Sequence, residues 1–172
     1  MDKRKIAECV STGRCENFSQ SPKSRWALGP WQDEPDRIEF PHAGLDCLLH
    51  RGPSGAWCGY VGVKPGHPWH GVGYSTCPIS CGVNYCDHRP EHRLDVHGGL
   101  TYAAACGGHI CHRSAAAEPR WWFGFDCAHA GDISPAYQNI AVFTDLGEVY
   151  RDVAYVQGET ERLAEQLAAI AA

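Results

Sequence analysis

Three polar residues, each three positions from the next, follow a strand-like aromatic run in the second half of the chain. The run is Trp-Trp-Phe-Gly-Phe at 121–125, and the polar residues are Asp126, His129 and Asp132. Side chains alternate along a strand, so Asp126 should share a face with Gly124. A glycine inside a strand often marks the close approach of a ligand. The pattern predicts a pocket with Asp126 on its floor; the structural alternative is that Asp126 caps a turn and His129 lies on the surface.

A second polar pair, Asp95 and His97, lies upstream. The two residues are two positions apart, so on a strand over 94–102 they would share a face, while Leu94 and Val96 would point into a core. A Gly-Gly pair follows at 98–99, and glycine reaches backbone conformations that are closed to other residues. If the two strands are neighbours, these histidines and aspartates form one constellation.

The same two segments resemble the motifs of a family. The sequences VHGGLTY at 96–102 and WWFGFDCAHAGD at 121–132 look like the hallmarks of a family of small uncharacterised bacterial and phage proteins. The stretch 59–68 and the tail 150–167 resemble the same family. The resemblance implies a shared fold and a shared site, and it names no reaction.

The composition is that of a globular protein with an unusual content of potential ligands. The chain has 172 residues, 44% hydrophobic and 20% charged, which suits one domain. Its 10 Cys, 10 His and 6 Trp are many, and indicate a metal site, a pocket or both. No apolar run approaches the roughly 18 residues of a membrane span, and no signal-peptide core follows the first residues. We therefore predict a cytoplasmic protein without membrane contact. A net charge of −5 argues against general nucleic-acid binding.

Cysteine and histidine are concentrated between residues 77 and 112. Thiols stay reduced in the cytosol, which favours metal binding over disulfides there. Zinc takes four thiolate or imidazole ligands, so we predict a structural zinc clip. The four predicted ligands are Cys77, Cys86, Cys106 and Cys111, with Cys81, His88 and His112 in reserve. The cysteines expected to be ordinary buried residues are Cys9, Cys15, Cys47, Cys58 and Cys127.

The rest of the chain supplies the framework. Residues 1–41 contain several prolines and predict an irregular N-terminal arm, after a short helix at 3–10, which Trp26 and Trp31 attach to a single domain at 42–172. Residues 45–50 and 56–63 predict a hairpin, and 141–144 a further strand. Apolar residues recur at helical spacing over 152–170. The predicted fold class is α+β: a mostly antiparallel sheet with long irregular loops, the zinc clip and a C-terminal amphipathic helix.

The leading functional hypothesis is a small metal-dependent hydrolase. A second divalent ion, zinc, iron or manganese, would activate water at the His/Asp site. The surrounding aromatic residues predict a ring-bearing small-molecule substrate such as a sugar or nucleoside; they are Trp69, Trp121, Trp122 and Tyr102. The candidate catalytic residues are His97, Asp126, His129 and Asp132, together with His67 and Asp95.

Two alternatives remain open. The protein could be a zinc-stabilised, non-enzymatic binding module whose His/Asp residues form a structural network, because buried polar groups commonly satisfy one another. A His–Asp pair could also act without metal, or Cys127 could act as a nucleophile. The oligomeric state stays open.

Overall fold

The computed structural model describes residues 23–79, 87–107, 110, 119–137 and 147–171. The expected helix at 3–10 and strand at 141–144 fall outside these ranges. Five cysteines and one histidine of the sequence analysis also lie outside the described residues: Cys9, Cys15, Cys81, Cys86, Cys111 and His112.

Five antiparallel strands form one sheet in the order β1-β2-β3-β5-β4. The strands are β1 Arg37–His42, β2 Leu45–Arg51, β3 Trp57–Val63, β4 Tyr102–Ala105 and β5 Trp121–Asp126. The α-helices are α1 Pro90–Arg93 and α2 Val153–Ala171, and short 3-10 turns lie at Lys23–Arg25, Pro30–Gln32 and Pro135–Tyr137. This architecture confirms the α+β class. Within the described ranges, no helix combines the length and apolarity that crossing a bilayer requires.

The sheet begins earlier than the sequence pattern indicates. The predicted hairpin is present as β2 and β3, but β1 precedes it and pairs with β2, with Ile38 opposite Leu49. The expected boundary at residue 41 therefore falls inside a strand. Pro41 is tolerated because β1 is an edge strand, where a missing N–H costs no ladder bond. Trp26 and Trp31 are buried, as expected of residues that attach this segment to the body.

The C-terminal helix covers one face of the sheet. Alternation along β5 is as predicted: Phe123 and Phe125 join the core under α2, while Trp122 packs on the other face. The helix lies directly against β3 at Gly59, where a Cβ would stand 2.2 Å from Thr160 Oγ1. A side chain at position 59 would lift α2 off the sheet.

The segment around Asp95 is not the strand predicted over 94–102, because β4 begins only at Tyr102. Side chains of α2 take the place of a neighbouring strand. The Asp95 N–H donates to Gln166 Oε1 (2.8 Å), Gln166 Nε2 donates to the Asp95 carbonyl (2.9 Å), and the His97 N–H donates to Glu159 Oε2 (2.8 Å). These bonds satisfy backbone groups that would otherwise need a strand partner. The helix therefore sets the position of His97.

A buried arginine joins the N-terminal segment to the sheet. Arg51 is fully buried, and its Nη2 and Nε contact Glu34 Oε2 (2.7 Å) and Asp36 Oδ1 (3.0 Å). Its Nη1 donates to the Gly55 carbonyl, and its guanidinium lies 4.2 Å from the Trp57 ring centroid. A charged group that is shielded from solvent requires such hydrogen-bonding and charged partners.

Glu34 carries this network to the start of α2. Its Oε1 accepts the Val153 N–H at 3.1 Å, and its Oε2 also accepts hydrogen bonds from Trp57 Nε1 and the Tyr150 hydroxyl. A carboxylate at a helix N-terminus satisfies an otherwise unpaired N–H and opposes the helix dipole. Arg51, through Glu34, therefore fixes where α2 begins.

Arg51→Met is expected to lower the free energy of unfolding by about 3–5 kcal/mol, because it removes the buried counter-charge of Glu34 and leaves Asp36 with Lys23 alone. Arg162→Met is the matched control: Arg162 pairs with Glu159 on the surface, where a pair contributes about 0–1 kcal/mol. Urea unfolding of both variants measures the difference. Equal losses would show that the buried network is not a special constraint.

Candidate functional site

Asp132 lies at the centre of a saturated hydrogen-bond network. Its side chain is 2% exposed, and its Oδ2 lies 2.7 Å from His97 Nε2 and accepts the His129 N–H at 3.1 Å. Arg151 Nε donates to its Oδ1 at 2.8 Å. Burial acts to raise the pKa of Asp132, but the hydrogen bonds from Arg151 and His97 outweigh it and leave the pKa lowered. Asp132 is therefore a paired carboxylate, not a free one.

His97 is engaged at both ring nitrogens. Its Nε2 faces Asp132, and its Nδ1 lies 3.1 Å from the Tyr155 hydroxyl. A carboxylate can only accept, so Nε2 carries a hydrogen, and in the neutral imidazole Nδ1 then accepts from Tyr155. The imidazole is thus held in one tautomer between the interior and α2.

His129 and Asp126 form a looser pair beside it. Their closest atoms, Nε2 and Oδ1, are 3.9 Å apart, and His129 Nε2 has no hydrogen-bond partner although it is shielded from solvent. Asp126 is fixed by Thr101 Oγ1, which donates to Oδ2 at 2.8 Å, and by the Ala128 N–H, which donates to Oδ1 at 3.1 Å. A small rotation of the His129 ring would close the pair.

An open cavity of about 230 Å³ adjoins this pair. It is smaller than the roughly 300–1,000 Å³ typical of ligand pockets, so it suits a molecule of one ring. Tyr137 at its wall is 50% exposed. The lining residues are Ala128, His129, Ala130, Asp132, Ser134, Tyr137 and Glu148.

Two glycines have roles that the sequence pattern did not identify. At Gly98, whose φ is +65°, a Cβ would stand 2.0 Å from His129 Nε2, so the missing side chain is where the imidazole packs. At Gly124 a Cβ would stand 2.3 Å from the Tyr60 ring. The prediction of a pocket beside Asp126 at Gly124 is therefore wrong, because the Tyr60 ring fills that space.

The structure brings four of the six candidate residues together and separates the other two. The rings of His97 and His129 have centroids 5.5 Å apart, which joins the two pairs. His67 instead bonds to the Leu167 carbonyl through Nε2 and accepts the Trp69 N–H at Nδ1, so it ties a loop to α2. The side chain of Asp95 is 88% exposed, near Arg162.

The aromatic surroundings also differ from the prediction. Trp69 and Trp122 are buried in the two cores, the Trp121 Nε1–H donates to the Val72 carbonyl, and Tyr102 packs edge-on against Tyr60. Tyr137 is the exposed ring of the cavity instead. It follows the polar triplet by only five positions, but nothing in its own sequence context marked it.

Arg151 and Tyr155 are the functional-site residues that sequence reasoning missed. Arg151 lies two positions before α2 and Tyr155 lies in its first turn, with the Arg151 guanidinium 4.9 Å from the Tyr155 ring centroid. Their only signal in the sequence was that they stand where the amphipathic helix begins.

The expected catalytic metal does not fit this arrangement. A catalytic zinc usually has three protein ligands. Both nitrogens of His97 and both oxygens of Asp132 and Asp126 already hold protein partners, so His129 is the one member of the four without a side-chain hydrogen bond. In the part of the chain that is described, no group of three or more potential ligands is placed to hold an ion.

The five cysteines within the described residues divide into two classes. Cys47 and Cys127 are buried and free, and Cys58 is partly buried and free. Burial, and then the charge of Asp132, raise the pKa of Cys127, so it is a poor nucleophile. Cys77 and Cys106 are disulfide-bonded, a state that removes both as zinc thiolates and that gives no support to a cytoplasmic location.

The zinc clip stays a prediction for the reduced protein. Reduced chain is expected to hold about one zinc ion, since thiolates bind zinc tightly, and oxidation should release it. Elemental analysis beside non-reducing peptide mapping measures both states. Reduced protein that contains no zinc would contradict the clip.

Gly98→Ala is expected to displace His129, whereas Gly99→Ala is not. Both positions have a left-handed φ, so both substitutions cost about 1–2 kcal/mol of backbone strain. A Cβ at position 99 meets nothing within 4 Å. Imidazole NMR signals of His129 should move only in the Gly98 variant; the same response in both would show that packing against Gly98 does not place the ring.

Comparison with protein-family models, with curated proteins and with solved structures finds no match for this chain. The resemblance carried by residues 96–102 and 121–132 therefore stays a prediction. Any functional conclusion rests on the geometry of the site itself.

Proposed function

We propose that the protein is a small hydrolase in which His129, supported by Asp126, transfers protons without a metal ion. The observation that carries this proposal is that His129 lines a cavity and its imidazole makes no hydrogen bond within the described residues. Nε2 is shielded beside Gly98 and faces Asp126 at 3.9 Å, which leaves Nδ1 for proton transfer. A catalytic acid–base group must reach the water or substrate with which it exchanges a proton. Both ring nitrogens of His97 are occupied by Asp132 and Tyr155, so His97 offers no nitrogen to water in the cavity.

The proposed chemistry is activation of water. His129 Nδ1 accepts a proton from a water molecule in the cavity as the oxygen attacks the substrate, and returns it to the leaving group. Asp126 stabilises the imidazolium that forms once the 3.9 Å separation closes, while Thr101 and the Ala128 N–H keep its carboxylate in place. A positioned acid–base group of this kind contributes about 10²–10⁴-fold to the rate.

The cavity restricts the substrate. Its volume suits a single ring, and the half-exposed Tyr137 offers a surface on which such a ring can stack. Glu148 lines the same cavity, and Asp126 lies against His129. Carboxylates disfavour a phosphate or carboxylate ligand, so the substrate class is a neutral or cationic ring-bearing molecule, of which the cavity holds one ring, such as one sugar ring of a glycoside or of a nucleoside.

A metal-dependent form of the reaction would need a different arrangement of the site. His97 or Asp132 would have to leave its present partners to supply a third ligand. Removing Asp132 from Arg151 would strand a group that is 2% exposed, which costs about 1–3 kcal/mol or more. The metal-free reaction needs no such rearrangement.

A non-enzymatic binding module remains the second candidate. The completeness of the His97–Asp132–Arg151 network favours it, because that network has the hydrogen bonding of a scaffold. The choice between hydrolase and binding module therefore depends on the other pair, His129 and Asp126.

His129→Ala and Asp126→Asn are expected to lower turnover about 10²-fold or more and to leave the melting temperature nearly unchanged. His97→Ala and Asp132→Asn are the matched controls from the neighbouring pair. They should lower the free energy of unfolding by about 1–3 kcal/mol, because each strands a buried partner. A panel of neutral, cationic and anionic glycosides, nucleosides and esters supplies the substrates.

Two results would overturn the proposal. One is a parent protein that hydrolyses nothing in the panel while binding ring-bearing ligands, which supports the binding module. The other is a folded His129→Ala variant with full turnover.

A further inference from the structure

The Tyr155 hydroxyl is the outer end of a hydrogen-bonded chain that runs into the protein. Tyr155 is 37% exposed and lies 3.1 Å from His97 Nδ1, and His97 Nε2 lies 2.7 Å from the buried Asp132. The proposed hydrolytic chemistry does not use this chain, because its site is the cavity beside His129.

The direction of each bond follows from the carboxylate. Asp132 is held ionised by Arg151, so it accepts from His97 Nε2–H, and the remaining lone pair on Nδ1 accepts from the Tyr155 O–H. The ring of Tyr155 stands at 88° to that of His97, which directs its edge at the imidazole. A hydroxyl, a histidine base and a carboxylate that orients the base are the three parts of an activated nucleophile.

We propose that Tyr155 is a nucleophile for activated phosphoryl groups and carries a covalent phosphoryl modification. The Tyr155 oxygen forms a bond to phosphorus, and the bond from phosphorus to the leaving group breaks, so that the leaving group takes the electron pair. The phenolic proton moves to His97 Nδ1 and then to solvent. No oxidation or reduction occurs, and the co-reactant is the activated phosphoryl donor.

Arg151 accounts for the choice of a phosphoryl group. Its guanidinium lies 4.9 Å from the Tyr155 ring centroid and remains 29% exposed while its Nε holds Asp132. Arginine binds phosphate oxygens well because its donors match their geometry. A cation at this position attracts an anionic donor and stabilises charge that develops during transfer.

The contribution of His97 to the reactivity of Tyr155 can be distinguished from the acidity of the phenol itself. Partial burial, and then the negative charge of Glu159, raise the pKa of Tyr155 above its ordinary value. Without a base, Tyr155 would therefore react more slowly than an exposed tyrosine. A faster rate reports the contribution of His97.

Diisopropyl fluorophosphate is the labelling reagent, and the whole 172-residue chain is the sample. Labelling at neutral pH, followed by peptide mass spectrometry, gives the rates at Tyr155 and at Tyr137, which is more exposed at 50%. Tyr137 is a stringent internal control because its cavity also contains a histidine. We expect Tyr155 to react at least about tenfold faster, a threshold set below the roughly 100-fold low end of what a positioned base provides. A rate at Tyr155 equal to or below that at Tyr137 overturns the proposal.

His97→Gln tests the base directly. In the folded variant the ratio of the two rates should fall to one or below, while the rate at Tyr137 stays constant; an unchanged ratio overturns the role of His97. If this variant does not fold, the ratio in the parent protein decides. The result is independent of the proposed hydrolase, because labelling requires no turnover in the His129 cavity.

Discussion

Complete burial of the Arg51 charge is the constraint on which the rest of the structure depends. A guanidinium without solvent is stable only where carboxylates, carbonyls and a ring face surround it. Glu34, Asp36, Gly55 and Trp57 provide those contacts, and Glu34 also receives the first N–H of α2. The position of α2 in turn sets Tyr155 and Glu159 against His97. The geometry of the site is thus inherited from an ion pair that lies outside it.

The site separates into two pairs with different physical states. His97 and Asp132 have every strong donor and acceptor of their side chains engaged, which gives rigidity and a single tautomer. Asp126 is held in place, whereas the imidazole of His129 lines a cavity and makes no hydrogen bond within the described residues. Rigid support next to an unsatisfied group is what proton transfer requires. Two pairs of the same residue types, one His and one Asp each, therefore differ in their physical state within one site.

The sequence predicted the features that depend on local periodicity. The hairpin, the alternation of β5 and the helix at the C-terminus all follow from spacings within one element. It missed features whose partners are distant along the chain. Segment 94–97 is bound by side chains about 60–70 residues away on α2, as the separations of Glu159 and Gln166 show. Burial of Arg51 and the packing of His129 on Gly98 likewise depend on contacts that no local pattern encodes.

Double-mutant cycles on the two His/Asp pairs test the central claim most directly. Unfolding free energies of the single and double variants give a coupling energy for His97 with Asp132 and for His129 with Asp126. The account predicts a coupling of about 0.5–3 kcal/mol for the first pair and a value within about 0.5 kcal/mol of zero for the second. A strong coupling between His129 and Asp126, with none between His97 and Asp132, would contradict it.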